Sequence, residues 1–425
     1  MDSNSTPNKD IKTPSPSVID KPEPIDKGQT KSGEKKDHHH EKINHGGMIV
    51  YFIIFTLCLG AVLKEVRKKT NIPYTPMVLI LGLILGFFSH RLYFLGECID
   101  LANNIDPHAL LMIFIPGLVF EGAYNTDPYV FGKSKWQILI MAGPGIILVS
   151  YVLAWSFTDL FKYTTISFNE ALLVGSILST TDPVAVVALL KELGASTRFK
   201  TILEGESLLN DGTAYVFFLI CLNIVVYKKI DYQETVVQFF QLSFGGPLLG
   251  ILIGMIISFW IGKVRKDSTL VSILTFISCY SCFFFAENYL GVSGILGVVS
   301  LGVYLSSFTK LNLSHEMNHS LEIVWSFSGF LLETLIFLIS GTYIGAQYSD
   351  LSKLTLTRTD LWKALLFQPY LILVRYVTIL IQLPFLNSVG YKISNLSAFI
   401  LSYGGLRGAI ALSLAMIVAI DTRLS

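Results

Sequence analysis

Charge is what this sequence has least of. Only 15% of its 425 residues are Asp, Glu, Lys or Arg, against about 25% in an ordinary soluble domain. A water-facing surface is built from charge, so a chain this poor in it does not read as a soluble globule. The two signs nearly cancel, with 32 basic and 31 acidic residues, and no basic patch stands out, which argues against nucleic acid as a partner. Cysteine is scarce: Cys58, Cys98, Cys221, Cys279 and Cys282, all but Cys98 inside apolar runs. Cys279 and Cys282 form a C-x-x-C without a partner pair, which reads as apolar packing rather than redox or metal chemistry. A secretory signal peptide is also missing. Residues 1–46 are polar instead, with eight Lys balancing eight Asp and Glu. Such a segment cannot bury enough apolar surface to fold and reads as a disordered tail. Its His38, His39, His40 and His45 read as part of that solvated tract rather than as a metal site.

What the sequence has is apolar length: 52% hydrophobic residues and a mean hydropathy of +0.56. From residue 47 onward we read one membrane domain. Twelve runs of spanning length lie at 48–63, 75–90, 108–125, 136–158, 168–191, 201–227, 237–262, 269–288, 292–308, 322–345, 361–384 and 395–420. Barrel strands would be about ten residues long and alternate with period two. In lipid every backbone group needs an internal partner, so the runs predict an all-α integral membrane protein. The break after the first run holds Lys64, Arg67, Lys68 and Lys69, and every second break thereafter is also basic, including Lys191, Arg198 and Lys200. These breaks are placed in the cytoplasm and the tail outside.

Seven ionisable residues lie inside the runs: Glu121, Asp182, Glu206, Asp211, Glu333, Arg375 and Arg407. Each costs about 2.5–3.5 kcal/mol at a helix centre. Together they would cost roughly 20 kcal/mol unpaired, more than the about 5–15 kcal/mol of a typical net stability. They must pair, protonate or face water. The fifth run reads STTDPVAVV from Ser179, and Pro183 has no amide hydrogen and clashes with the preceding turn. The helix should break at Thr180–Asp182 and leave bare main-chain groups beside a carboxylate, as in transporter cation sites. The sixth reads EGESLLNDGTA from Glu204. Ser207 and Asp211 share one helix face, Glu206 and Asn210 the adjacent one. Asp182, Asp211, the Ser207 hydroxyl and the Thr181 carbonyl could surround a sodium ion, with Glu121 or water completing the shell.

These motifs, together with IPGLVFEGAY from Ile115 and SYGGLRGAIALSLA from Ser402, resemble the monovalent cation/proton antiporter superfamily. The resemblance runs from about Met48 to the C-terminus and is to the eukaryotic sodium/hydrogen exchanger branch, in its plant salt-tolerance and sperm types. It implies that Asp211 is the principal ion- and proton-binding carboxylate and that Asp182 lines the site. Asn210 stands where electrogenic relatives carry a second aspartate, Ser207 and Thr181 are secondary ligands, and Glu121 occupies the acidic position of the third span. Glu206 would pair with Arg375, and Arg407 would stabilise the second broken helix. The implied fold has thirteen helices in two inverted six-helix repeats around a linker, with broken helices at the ion site. The twelfth run, interrupted at Gly404, Gly405 and Gly408, matches the break in the fifth. The chain stops at Ser425 after the twelfth run, so the last helix is absent, which we read as truncation.

The expected activity is sodium/proton exchange, electroneutral and one-for-one because Asn210 carries no exchangeable proton. It needs no cofactor, involves no enzyme chemistry, and is placed by resemblance in a homodimer of the plasma membrane. The alternatives are a potassium/proton antiporter and a non-transporting truncated form. A cation channel would show a filter and pore helix, and an intramembrane aspartyl protease would set its aspartates in Tyr-Asp and Gly-x-Gly-Asp. Neither pattern is present. Glu333 is read as a packing residue, and His315 and His319 as ordinary loop residues rather than pH sensors.

Overall fold

A computed structural model describes residues 45–421, apart from 71, 162–165, 229–231, 265 and 350–357. Residues 1–44 of the polar tail, with His38, His39 and His40, lie outside the described residues, while its last two, His45 and Gly46, open the first helix. Everything regular in them is helical. In chain order the helices are α1 (His45–Thr70), α2 (Tyr74–Phe87), α3 (Tyr93–Asn103), α4 (Pro107–Asn125), α5 (Pro128–Ala142), α6 (Pro144–Trp155), α7 (Phe168–Ser179) and α8 (Val184–Glu192). They continue with α9 (Thr197–Tyr227), α10 (Tyr232–Val264), α11 (Ser268–Phe285), α12 (Gly294–Tyr304), α13 (His315–Ser349), α14 (Arg358–Val389), α15 (Asn395–Tyr403) and α16 (Ala409–Ile420). Among the described residues, nine helical segments are long and apolar enough to cross a membrane, and α2, α7 and α16 are shorter apolar helices. The protein is a multi-pass membrane protein.

Three features of this layout differ from the sequence expectation. His315 and His319, read as loop residues, lie in the first turns of α13, which begins well before the run at 322–345. The run at 136–158 is the pair α5 and α6, beginning already at Pro128 and bent where Pro144 withholds its donor. Helix α3 fills a stretch read as a polar break. It is only 11 residues long and carries Glu97 and Asp100, yet it buries Cys98, Ile99 and Ala102. Helix starts are local chemistry: the Asp106 carboxylate accepts from the His108 amide at 3.1 Å ahead of Pro107, and the Asp127 carboxylate accepts from the Tyr129 amide at 3.0 Å ahead of Pro128. Ser167 and Glu170 form a reciprocal capping box on α7.

Packing follows membrane rules. Lipid tails are as apolar as leucine, so helices associate where small residues let backbones touch. Helices α2 and α13 do so through Gly82 and Gly341. A Cβ on Gly82 would lie 2.7 Å from the Leu338 carbonyl, and one on Gly341 2.5 Å from the Leu79 carbonyl. Beside this seam Trp325 is fully buried, stacked on Phe276 at 4.3 Å, with its indole donating to Thr275 Oγ1 at 3.1 Å. Helix α10 turns Phe240, Phe244, Leu248, Ile256, Phe259 and Trp260 outward, an apolar face suited to lipid.

Candidate functional site

The centre of the molecule is a crossing of two interrupted helices. Helix α7 ends at Ser179 and α8 begins at Val184, with Pro183 between them. Helix α15 ends at Tyr403 and α16 begins at Ala409. The two extended segments meet in one antiparallel bridge, Asp182 to Leu406, in which the Asp182 amide donates to the Leu406 carbonyl at 2.7 Å. The close approach has a steric requirement. A Cβ on Gly408 would stand 2.8 Å from that of Asp182, and one on Gly405 2.6 Å from Arg375 Nη1.

A helix that stops in mid-membrane leaves its last carbonyls without amide partners. The carbonyl of the last residue of α7, Ser179, and those of Thr180 and Thr181 just beyond it are taken up by side chains from elsewhere. The Asn210 amide donates to the Ser179 carbonyl at 3.2 Å and to Thr181 Oγ1 at 2.7 Å. Arg407 Nη1 donates to the Thr180 carbonyl at 3.2 Å and to the Gly405 carbonyl at 2.9 Å. The Ser207 hydroxyl donates to the Thr181 carbonyl, which leaves the serine's lone pairs free. On the other side of the break, Asp182 Oδ1 accepts from the Val184 amide at 3.0 Å and starts α8.

Helix α9 carries the remaining groups on two faces. Ser207 and Asp211 line a cavity of about 470 Å³, together with Asp182, Glu121 and Glu333. Glu206 and Asn210 turn instead into a small pocket with Thr181, Arg375 and Arg407. Glu206 Oε2 accepts from Arg375 Nη2 at 2.7 Å, and both residues are buried. Asp211 has no hydrogen-bond or ion-pair partner among the described residues. Of the candidate ligands, the structure therefore brings together Asp211, Asp182, Ser207 and Glu121 around one cavity. Asn210 and the Thr181 side chain face the pocket behind it.

The large cavity is acidic, with Glu121, Asp182, Glu204, Asp211 and Glu333 on its wall against Arg67 and Lys191. Near its mouth Lys191 Nζ stands 3.9 Å from Glu204 Oε1. Glu121 is fixed between the Asn125 amide at 3.5 Å and Gly329, where an added Cβ would lie 2.6 Å from Glu121 Oε2. Sequence reasoning assigned no site role to Glu333, Glu204 or Arg67. The signal for Glu333 was its charge within a span. Arg67 lies in the last turn of α1 and Glu204 about two turns into α9, and only the fold shows that they border the same space. The C-x-x-C cysteines lie apart from the cavity, both buried, with the Cys279 thiol donating to the Pro116 carbonyl at 3.2 Å.

The architecture has counterparts. The fold is similar to that of the sodium proton antiporter MjNhaP1 from Methanocaldococcus jannaschii, with a TM-score of 0.71 at 20% identity, covering 89% of this chain and 87% of that one. In sequence, the chain is 33% identical over 374 residues to sodium/hydrogen exchanger 7 of Arabidopsis thaliana, 87% of this chain and 32% of the relative. It is 34% identical over 375 residues to exchanger 8 of the same plant, 87% and 49%. It is also 31% identical over 372 residues to the low-affinity Na(+)/H(+) antiporter NhaS1 of Synechocystis, 85% and 66%. The chain thus spans about a third of the length of one plant relative and about half of the other. The family model described as sodium/hydrogen exchanger, transmembrane, matches residues 53–421, and the chain belongs to the sodium/hydrogen exchanger family.

Proposed function

We propose that this chain exchanges sodium ions for protons across a membrane, one for one, with Asp211 holding either cargo. The observation that carries this reading is the state of Asp211. It is a mid-helix carboxylate at the wall of the acidic cavity, without a partner among the described residues, while Glu206 on the next face is spoken for by Arg375. An unpaired carboxylate at that depth needs either a proton or a cation. Binding one displaces the other, so the chemistry is competition rather than bond-making.

The cation would be held by hard oxygens. Asp211 and Asp182 supply carboxylates, and Ser207 supplies a hydroxyl whose proton is committed to the Thr181 carbonyl. Glu121, further along the wall, or water completes the shell. Asn210 is neutral and already donating, so the Asn210–Asp211 pair exchanges a single charge and the cycle is electroneutral. The cavity is bordered by Arg67 and Lys191, which the loop charges place in the cytoplasm, so this conformation offers the site to that side. Turnover would follow from rocking of α5 to α9 and α14 to α16 against the remaining helices, with Glu206–Arg375 keeping the moving part together. On the same reading the spans are twelve of the family's thirteen, in inverted repeats that place the two breaks at equivalent positions. The assembly is a homodimer and the residence is the plasma membrane. A monomeric mass in native detergent, or imaging at an internal organelle, would count against those last two points.

The deciding test is sodium-driven proton movement in vesicles, read with a pH dye, for the wild type and for Asp211→Asn. A wild-type signal that is lost in the folded variant is the expected result. A signal driven by potassium and not by sodium would reassign the cargo, and a reversal potential that follows membrane voltage would overturn one-for-one exchange. A silent but folded wild type would overturn the activity itself.

A further inference from the structure

We propose that the small pocket on the far side of the first break is a binding site for one fixed water molecule, shared by α9, α14 and the α15–α16 break. The pocket offers about 30 Å³ of water-sized space, enough to hold a water. Three of the atoms on its lining residues are buried without a hydrogen-bond partner among the described residues: Asn210 Oδ1, Gln382 Oε1 and Arg407 Nε. They come from three separate helical elements and lie far apart in sequence.

Their chemistry selects the occupant. Two are carbonyl oxygens, which only accept, and one is a guanidinium N–H, which only donates. Water is the species that donates twice and accepts once at a single point, and a buried water with about three polar partners is the usual case. A sodium ion would face the Arg407 N–H and the Arg375 guanidinium that borders the same pocket, where the one carboxylate, Glu206, is already paired with Arg375. A chloride ion would face two carbonyl oxygens. The orientation of Asn210 is not free to change, because its amide nitrogen is committed to Thr181 Oγ1 and the Ser179 carbonyl. The carbonyl of Asn210 therefore serves this pocket, and the cargo cavity is left to Ser207 and Asp211.

The site would tie the second break to the first through a partner that neither helix supplies. Arg407 reaches the first break directly through Nη1 to the Thr180 carbonyl. Through Nε and the water it would also reach Asn210, which holds Ser179, the last residue of α7.

The test is a density map of the full chain at about 2 Å resolution, by electron microscopy or crystallography. The expected result is one peak within about 3 Å of all three atoms. An empty pocket, or an Arg407 side chain turned to bond Asn210 or Gln382 directly, would overturn the proposal. Crystals grown in bromide separate water from halide, since an anomalous peak at this point would replace the water by an anion. In Gln382→Met, which keeps the side-chain length and removes the acceptor, the peak should fade and the thermal midpoint in detergent should drop. An undiminished peak in that variant would remove Gln382 from the site and with it the three-way assignment. The wild-type map decides the matter even if the variant fails to fold.

Discussion

The main-chain amide of Asp182 donates to the carbonyl of Leu406 at 2.7 Å, across more than two hundred residues of chain. That bond joins the two interrupted helices, and it fixes how near the Asp182 carboxylate stands to the second break. The approach is set by Gly408, where an added Cβ would lie 2.8 Å from Asp182 Cβ. Gly408→Ala is therefore predicted to displace Asp182. Overpacking at a closed contact costs about 1–3 kcal/mol, and here the strain falls on the proposed cation oxygens. We expect transport to fall at least about tenfold, the equivalent of 1.4 kcal/mol, while the protein still elutes as a folded species. Gly132→Ala, with nothing within 4 Å of the new methyl, is the matched control and should transport normally. Equal rates in the two variants would show that the crossing does not set the geometry of the site.

The buried pair Glu206–Arg375, 2.7 Å apart, gives a stability prediction with a sign that can be checked. Removing one member of a buried pair leaves an uncompensated charge and costs about 3–5 kcal/mol, whereas replacing both by apolar groups is often near neutral. Arg375→Met should therefore lower the thermal midpoint in detergent sharply. The double variant Glu206→Leu with Arg375→Met should recover most of the loss. If the double variant is as unstable as the sum of the two single ones, the pair contributes through separate contacts and not through its charge.

Much of this centre is legible in the sequence because it depends on residues that act locally. Pro183 stops α7 by withholding a hydrogen bond, and the spacing of Ser207 and Asp211 puts them on one face of α9. The separation of Asn210 from the cargo side needed the fold. On a helical wheel Asn210 stands next to Asp211, and only the placement of α14 and the α15–α16 break turns that neighbouring face into a different compartment. Helix α3 was illegible for a related reason. Its 11 residues look polar on average, and their burial comes from packing against α1 and α13 rather than from their own pattern. The bend at Gly143–Pro144 was readable in principle, but continuous hydropathy on both sides hid it.

Ser207 makes two contributions that one substitution removes together. Its hydroxyl satisfies the Thr181 carbonyl, and its lone pairs face the cavity. In Ser207→Ala the carbonyl is orphaned, at about 1–3 kcal/mol, and the cation shell loses an oxygen. We expect the KM for sodium to rise roughly tenfold, which corresponds to about 1.4 kcal/mol. In Ser207→Thr, which keeps the hydroxyl, it should rise much less. The measurement is the sodium dependence of proton flux in the same vesicles. An unchanged KM in Ser207→Ala would leave the serine only its role in the break.

The last prediction concerns the mouth of the cavity, where charge acts at a distance. Lys191 stands 3.9 Å from Glu204, with 63% of its side chain exposed. A pair that open to solvent is worth only about 0.2–1 kcal/mol in stability, so Lys191→Gln should leave the thermal midpoint where it is. Its effect on the cargo is different in kind. The wall carries five carboxylates against Arg67 and Lys191, so removing one of the two cations makes the field at the entrance more negative and raises the local concentration of sodium. A unit charge about 10 Å away in water is worth roughly 0.4 kcal/mol, so at low ionic strength the KM for sodium should fall about twofold. At physiological salt the screening length is about 8 Å, and the variant and wild type should converge. The experiment is a pair of sodium titrations with ionic strength set by choline chloride. A KM difference that persists undiminished at high salt would mean that Lys191 acts through a direct contact rather than through the field at the mouth.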